Sequence, residues 1–264
     1  MEAKQNNKLI VYYNNIFDNP IITLYEYHNN ELVKEDIIIF EKNEIENGLP
    51  IDIGYVVERI SKLINIKLIK SMQLLLSSND IIKFTTSLPK ISYTKALSLY
   101  NKELKENFSD YKENFTTYKL NYKYNLGYIF YTYFIPLELI NFFKKVSYSL
   151  NIKLTGIDLF ENYIFKRINH SLTNDYVYIY KDGNVTTILL AYNHQLSSFV
   201  TFKDTSKETF LLNYIGYIDK HKFELEKKTI DQIYANQTIN YFDDKEIKYV
   251  ELDLDNYSFS GIKI

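Results

Sequence analysis

The feature that most constrains this sequence is an order of predicted elements that occurs twice. Each copy has three short strand-like runs, then an amphipathic helix, then one further strand. In the first copy these are residues 9–13, 21–27, 32–40, 52–64 and 72–76. In the second copy they are residues 176–180, 185–192, 196–202, 207–220 and 230–235. The repeat predicts an α/β protein with two similar lobes.

An insertion is predicted inside the first lobe. It contains a strand ending at Leu88-Pro89, a helix over residues 93–107 and a strand over residues 114–124 with one aromatic face. The apolar run 127–134 that follows is typical of an inner strand covered on both faces. Pro136 is predicted to open a helix, because its missing N–H group costs nothing at that position.

The lobe boundary is predicted in the polar stretch 169–175. We therefore expect a first lobe at residues 1–170, with the inserted subdomain at about 80–126, and a second lobe at residues 171–264.

Composition excludes several classes of function. The net charge is −2, and the only arginines are Arg59 and Arg167. Base reading and phosphate clamps usually depend on Arg, so no nucleic-acid partner is expected. The absence of Cys removes thiol nucleophiles and zinc thiolate sites, and the four histidines have no metal-ligand spacing, so no metal is expected.

The longest apolar stretch, residues 127–140, contains Pro136 and Glu138. It is shorter than the roughly 20 residues that a membrane span requires. We expect a cytoplasmic chain that is peripheral to the cytoplasmic membrane and attached through a protein partner.

Three stretches carry a resemblance to a known family. They are Leu88-Pro89 with the helix after it, residues 127–168 with Ile157-Asp158 between a strand and a helix, and the second meander at residues 176–202. Together they resemble the actin-like pilus-assembly family that includes PilM and the cytoplasmic domain of the secretion protein GspL. The resemblance covers most of the chain and implies a duplicated ribonuclease-H-type fold with two lobes and an inserted small subdomain.

The loops that hold nucleotide in this family are degenerate here. The turn after the first strand, residues 14–20, has no Gly and contains Phe17, which is expected to block a phosphate. The adenosine loop lacks its glycines at residues 234–238, and the second-lobe lid subdomain is missing, since Phe202 is followed within a few residues by Lys207. Residues 51–54 imitate a phosphate signature, but Asp52 is better interpreted as a helix cap.

The second phosphate loop keeps more of its pattern. Asp182 and Gly183, followed by Thr186, resemble a slipped Asp-x-Gly-x-x-Thr motif, in which Asp182 would orient a metal-bound water and Thr186 would contact a phosphate. The same residues also predict an ordinary Asp-Gly hairpin, and this interpretation is favoured. We therefore expect no cofactor and treat these three residues as a residual nucleotide site only.

The aromatic strands near the insertion are the candidate binding surface. In the family, the groove between the inserted subdomain and the first lobe receives the short cytoplasmic tail of a bitopic, PilN-like membrane protein. Tyr side chains suit such contacts, because they combine area with a hydrogen bond. The alternative is that these side chains form ordinary sheet core. The candidate residues are Tyr118, Tyr122, Tyr124, Tyr131 and Tyr133.

The leading hypothesis is a non-catalytic actin-like scaffold of a type IV pilus or type II secretion-like machine. Expected partners are the membrane protein's tail, pilus motor or platform proteins, and a second copy of the chain. An alternative is an active actin-like or sugar-kinase-like ATPase that uses Asp182. A third is a host- or phage-derived interaction module of similar fold.

Overall fold

The structure is a computed structural model of the 264-residue chain. It describes residues 7–16, 20–124, 127–168, 172, 175–183, 185–192, 195–204, 206–221, 232–239, 247–250, 252 and 262–263. The predicted obstruction by Phe17 lies outside these residues.

The first meander forms as the sequence predicts. Strands β1, β2 and β3 pair antiparallel, and β6 lies parallel to β1 with Val11 opposite Leu74. All seven residues of β1 are buried, because neighbouring strands flank it on both edges. The elements are β1 Lys8–Asn14, β2 Ile21–His28, β3 Glu31–Ile39, β4 Ile45–Glu46, β5 Leu49–Pro50, α1 Ile53–Leu63 and β6 Ser71–Ser77.

Helix α1 begins at the cap that the sequence predicts. The Asp52 carboxylate accepts a hydrogen bond of 2.7 Å from the Gly54 N–H group, which satisfies one free donor of the first turn. Val56 and Ile60 are fully buried and Ile64 nearly so, which places the apolar stripe against the core. Residues 51–54, whose sequence resembles a phosphate-binding signature, therefore form the start of a helix.

The inserted subdomain is a small sheet covered by one helix. Its strands have the order β7-β9-β8, and β9 is buried on both faces as predicted. Tyr100 of α2 stacks on Phe130 of β9 at 4.6 Å between ring centroids. The elements are β7 Ile82–Pro89, α2 Tyr93–Asn107, β8 Phe115–Tyr124 and β9 Gly127–Pro136. Because β9 is the central strand of this sheet, the subdomain extends through Pro136, beyond the expected end near residue 126.

The rest of the chain completes the first sheet and forms the second. The elements are α3 Leu137–Ser149, β10 Lys153–Leu159, α4 Phe160–Ile168, β11 Tyr176–Asp182, β12 Val185–Tyr192, β13 Gln195–Lys203, α5 Lys207–His221, β14 Ile233–Ala235, β15 Ile247–Tyr249 and β16 Ile262–Lys263. Helix α5 follows β13 after residues 204–206, so no lid subdomain is inserted there.

The two sheets confirm the predicted repeat. The first sheet has the order β16-β10-β6-β1-β2-β3, and the second has the order β13-β12-β11-β14-β15. In each, a meander of three antiparallel strands is followed by a helix and a strand parallel to the first, β6 beside β1 and β14 beside β11. The two meanders belong to separate sheets with the same topology.

The chain divides into two compact units, residues 1–158 with 258–264, and residues 159–257. Helix α4, which the sequence assigned to the first lobe, belongs to the second unit. The Thr201 hydroxyl of β13 donates a hydrogen bond of 3.0 Å to the Glu161 carboxylate of α4, and the rings of Phe160 and Tyr180 meet edge to face.

Within the described residues, no helix is long and apolar enough to span a membrane. The same residues contain no cluster of three His, Asp or Glu side chains that could hold a metal ion.

Candidate functional site

The residual nucleotide residues lie on the hairpin between β11 and β12. Asp182 pairs with Val185 across the turn, and Gly183 has a φ of +55°, the left-handed conformation that tight hairpins require. Asp182 is exposed at the surface, and partial desolvation raises the pKa of its carboxyl group. Thr186 is fully buried in β12.

The polar groups near this hairpin are bound to one another. The Lys181 ammonium donates to the Asp204 carboxylate at 2.7 Å, and the Thr186 hydroxyl donates to the same oxygen at 3.2 Å. Asn236, in the stretch compared with the adenosine loop, accepts from the Lys181 N–H group and donates to the Lys181 carbonyl. We call Lys181, Thr186, Asp204 and Asn236 the second meander end. Thr186 thus contacts a carboxylate of the protein itself.

A different cluster lies at the carboxyl end of β1, where the family's first phosphate loop would start. The Asn15 N–H group donates to the Ser77 carbonyl at 3.1 Å, and the Ile16 N–H group donates to the Asn14 side chain at 3.0 Å. The Asn15 amide also donates to the Asp80 carboxylate at 2.8 Å. We call residues 14–16 with 77–80 the first meander end. The backbone N–H groups of Asn15, Ile16, Asn79 and Asp80 therefore donate to oxygens of the protein itself.

The turn between β4 and β5 packs against the first meander end. The Gly48 carbonyl accepts hydrogen bonds from the Tyr13 hydroxyl and, at 3.4 Å, from the Asn15 amide. Gly48 has a φ of +73°, and a Cβ there would lie 2.9 Å from both the Asn15 amide nitrogen and an Asp80 carboxylate oxygen. Burial, and secondarily the Asp80 carboxylate, raise the pKa of the Tyr13 hydroxyl. The contacts fix the β4–β5 turn in place.

Three of the five tyrosines predicted to form the binding surface are packed inside the first unit. Tyr118, Tyr131 and Tyr133 are only 7%, 1% and 2% exposed. Tyr118 lies opposite Tyr133 in the sheet, with ring centroids 6.3 Å apart, and the Lys83 ammonium lies 4.7 Å from the Tyr131 ring. These three side chains offer a partner almost no surface. The strand β8 includes Tyr122 and Tyr124, whose side chains lie outside the described part of the structure.

Tyr118 also links the inserted subdomain to β10. Its hydroxyl forms a hydrogen bond with the Asp158 carboxylate, which is fully buried. Burial, and secondarily the Asp158 charge, raise the pKa of the Tyr118 hydroxyl above its ordinary range. The bond satisfies a carboxylate that would otherwise be costly in the interior.

An open groove of about 720 Å³ lies at the junction between the inserted subdomain and the body of the first unit. Its walls come from the β4–β5 turn and the start of α1, the start of β8, and the first turns of α3. The Leu137 N–H group donates to the Asn114 carbonyl at 2.8 Å, which holds the start of α3 against the start of β8. The apolar lining includes Leu49, Ile51, Ile53, Phe115, Leu137 and Phe142.

Sequence reasoning placed a groove at this junction, and Tyr118, Tyr131 and Tyr133, which it named as lining, are buried instead. The tyrosines alternate cleanly along β8 and β9, and that signal marks sheet core. The residues that do line the groove come from turns and helix starts that are distant in sequence. The sequence offered one local signal, because Ile51 is a large apolar residue immediately before the helix cap Asp52. In the structure, Ile51 is 56% exposed.

The sequence matches no protein-family model and no curated protein. Solved structures do match. The cytoplasmic domain of EpsL, an inner membrane component of the type II secretion system of Vibrio cholerae, aligns with a TM-score of 0.57 at 9% identity, over 93% of this chain and 90% of that chain. The PilM–PilN type IV pilus biogenesis complex aligns with a TM-score of 0.59 at 8% identity, over 86% of this chain and 80% of that chain. These likenesses confirm the predicted actin-like fold.

Proposed function

Because the chain has the actin-like fold of PilM and EpsL, we propose that it is a non-catalytic scaffold of a type IV pilus or type II secretion-like machine. It binds the tail of a membrane-embedded, PilN-like partner in the groove beside the inserted subdomain. It resides in the cytoplasm, peripheral to the membrane through that partner. Further contacts connect it to motor or platform proteins or to a second copy of the chain.

The open groove is the observation that carries this proposal. The groove has a volume of about 720 Å³, which is the size of a binding site. We call its apolar lining residues the floor and its exposed charged lining residues the rim. Ile51, which is 56% exposed in this groove, gives a partner an apolar anchor point that water would otherwise contact. One of the solved structures with this fold is the PilM–PilN type IV pilus biogenesis complex, so a protein of similar fold is found there together with a partner.

The two meander ends support the absence of catalysis. Phosphate binding requires free N–H donors or cations, and transfer requires a carboxylate-held metal ion. At the first end, the N–H groups of Asn15 and Ile16 donate to protein oxygens, and Asp80 adds a negative charge beside them. At the second end, Thr186 and Lys181 are bound to Asp204.

A library of tails tests the partner. The cytoplasmic tails of all bitopic membrane proteins of the source organism are screened against the full chain in a two-hybrid assay. We expect a tail whose interaction is lost with Ile51→Asp and kept with Ile37→Asp. The control is matched, because Ile37 on β3 is also 56% exposed and does not line the groove. Equal loss with both variants, or with neither, would contradict docking in the groove.

Calorimetry with ATP and Mg²⁺ tests the catalytic part separately. We expect no binding heat and no phosphate release above background, with the same result for Asp182→Ala. Micromolar binding with turnover that disappears in Asp182→Ala would establish the ATPase alternative instead.

A further inference from the structure

The rim of the groove has an excess of negative charge. Three carboxylates line it, from Glu46 on β4, Glu113 before β8 and Glu138 in the first turn of α3, against one cation, Lys145. All four side chains are exposed. Within the described residues, none of the three glutamates forms an ion pair. Their charges are therefore available to a ligand.

Two helix starts also face this region, and their dipoles are already complemented. The Asp52 carboxylate caps α1, and Glu138 lies in the acidic first turn of α3. Glu46 and Glu113 belong to no α-helix, so they add negative charge beyond what the two helix dipoles require. The groove thus combines an apolar floor with a net negative rim.

We infer that the groove binds a cationic segment, with Lys or Arg side chains flanking an apolar residue that packs against Ile51 and Leu137. The inference rests on the proposed function and specifies the chemistry of the partner. Cytoplasmic segments close to a membrane span carry an excess of Lys and Arg, so an acidic rim is complementary to such a tail. The same rim repels the anionic membrane surface, which favours a peptide over lipid as occupant.

Exposed charges of this kind act mainly on selectivity and association rate. Complementary rim charges accelerate encounter and disfavour ligands of the wrong sign, whereas the apolar floor supplies the anchor. The interaction is therefore expected to weaken as salt screens the rim.

A random-peptide display library tests the inference on the full chain. Peptides that bind the unaltered protein are kept, and those that also bind Ile51→Asp are removed. We expect the remaining peptides to contain Lys and Arg about twofold more often than the starting library. Absence of this enrichment among groove-dependent peptides would overturn the inference and leave the proposed docking function intact.

Affinity measurements on one recovered peptide complete the test. We expect Glu46→Gln/Glu113→Gln/Glu138→Gln to weaken binding roughly tenfold at low salt, the size expected of three exposed ion pairs together. A control triple variant, Glu31→Gln/Glu58→Gln/Glu106→Gln, removes the same charge from exposed positions outside the groove lining and should bind as the unaltered chain does. Equal weakening in both triple variants, or recovery of no groove-dependent peptide, would contradict a cation-selective rim. The tail library then decides the docking function independently.

Discussion

The two meander ends occupy corresponding positions in the repeated topology but are closed by different chemistry. The first uses neutral amides, backbone groups and one exposed carboxylate, centred on Asn15. The second uses an ion pair between Lys181, whose side chain is 15% exposed, and Asp204, which is fully buried. At both ends, the named N–H, hydroxyl and ammonium donors of the described residues, at Asn15, Ile16, Lys181 and Thr186, donate to oxygens of the protein itself.

The difference has a consequence for the groove. At the first end, Asn15 and Tyr13 bind the Gly48 carbonyl, and the β4–β5 turn that contains Gly48 contributes Glu46 and Leu49 to the groove. At the second end, the hydrogen bonds of Lys181, Thr186 and Asn236 join β11 and β12 to the residues that follow β13 and β14. The first meander end thus helps to hold one wall of the proposed docking site.

A rise in pH is expected to destabilise both units, and this is the largest effect on folding stability that we predict. Burial raises the pKa of the Tyr13, Tyr118, Tyr176 and Tyr178 hydroxyls above the ordinary 10.0, and that of Tyr214 to about 12. Their contribution is complete below the unfolded value near 10 and is lost as the pH rises through the folded values. We expect phenolate absorbance and circular dichroism to change together. Ionisation of these hydroxyls near pH 10 without unfolding would show that they are not buried.

Single substitutions at the two meander ends are expected to lower the free energy of unfolding by different amounts. Lys181→Met leaves the Asp204 carboxylate buried without its cation, and we expect a loss of about 3–5 kcal/mol in the free energy of unfolding. Asn15→Ala at the first end removes hydrogen bonds of an amide, one of them to the exposed Asp80 carboxylate, and should cost about 1–3 kcal/mol. Urea denaturation measures both.

The double variant Lys181→Met/Asp204→Leu checks the cause of that loss. Replacement of both charges by apolar groups should recover much of the stability, since the penalty of a buried unpaired charge is removed. A double variant as unstable as the sum of the two single changes would mean that the pair is not coupled.

The smallest expected difference in stability is between alanine substitutions of two glycines, one beside each meander end. Gly48 and Gly183 both have left-handed φ angles, +73° and +55°, but a Cβ meets crowded atoms only at Gly48. Gly183→Ala should cost about 1 kcal/mol for the backbone alone. Gly48→Ala should cost about 2–3 kcal/mol, because the Asn15–Asp80 contact must also move. Thermal unfolding compares them, and equal costs would show that the first meander end is loosely packed.

Much of the fold could be predicted because its signals are local. The Asp52 cap, the helix start at Pro136 and the Asp182-Gly183 hairpin each depend on neighbours in sequence, and each is present in the structure. The division of the units after residue 158 and the burial of Tyr118, Tyr131 and Tyr133 have no such local signal. Helix α4 belongs to the second unit through contacts of Glu161 with Thr201, which no pattern in the helix reveals.

The sequence by itself determined the repeated order of strands and helices and the absence of glycine from residues 14–20 and 234–238. Periodicity and turn chemistry act over a few residues, so they can be read from one chain. Only the tertiary structure decided which aromatic faces are buried, which groups bind Asn15 and Asp204, and where an open groove remains. Those outcomes depend on atoms from segments far apart in sequence, and burial is a property of what packs on a residue rather than of the residue alone.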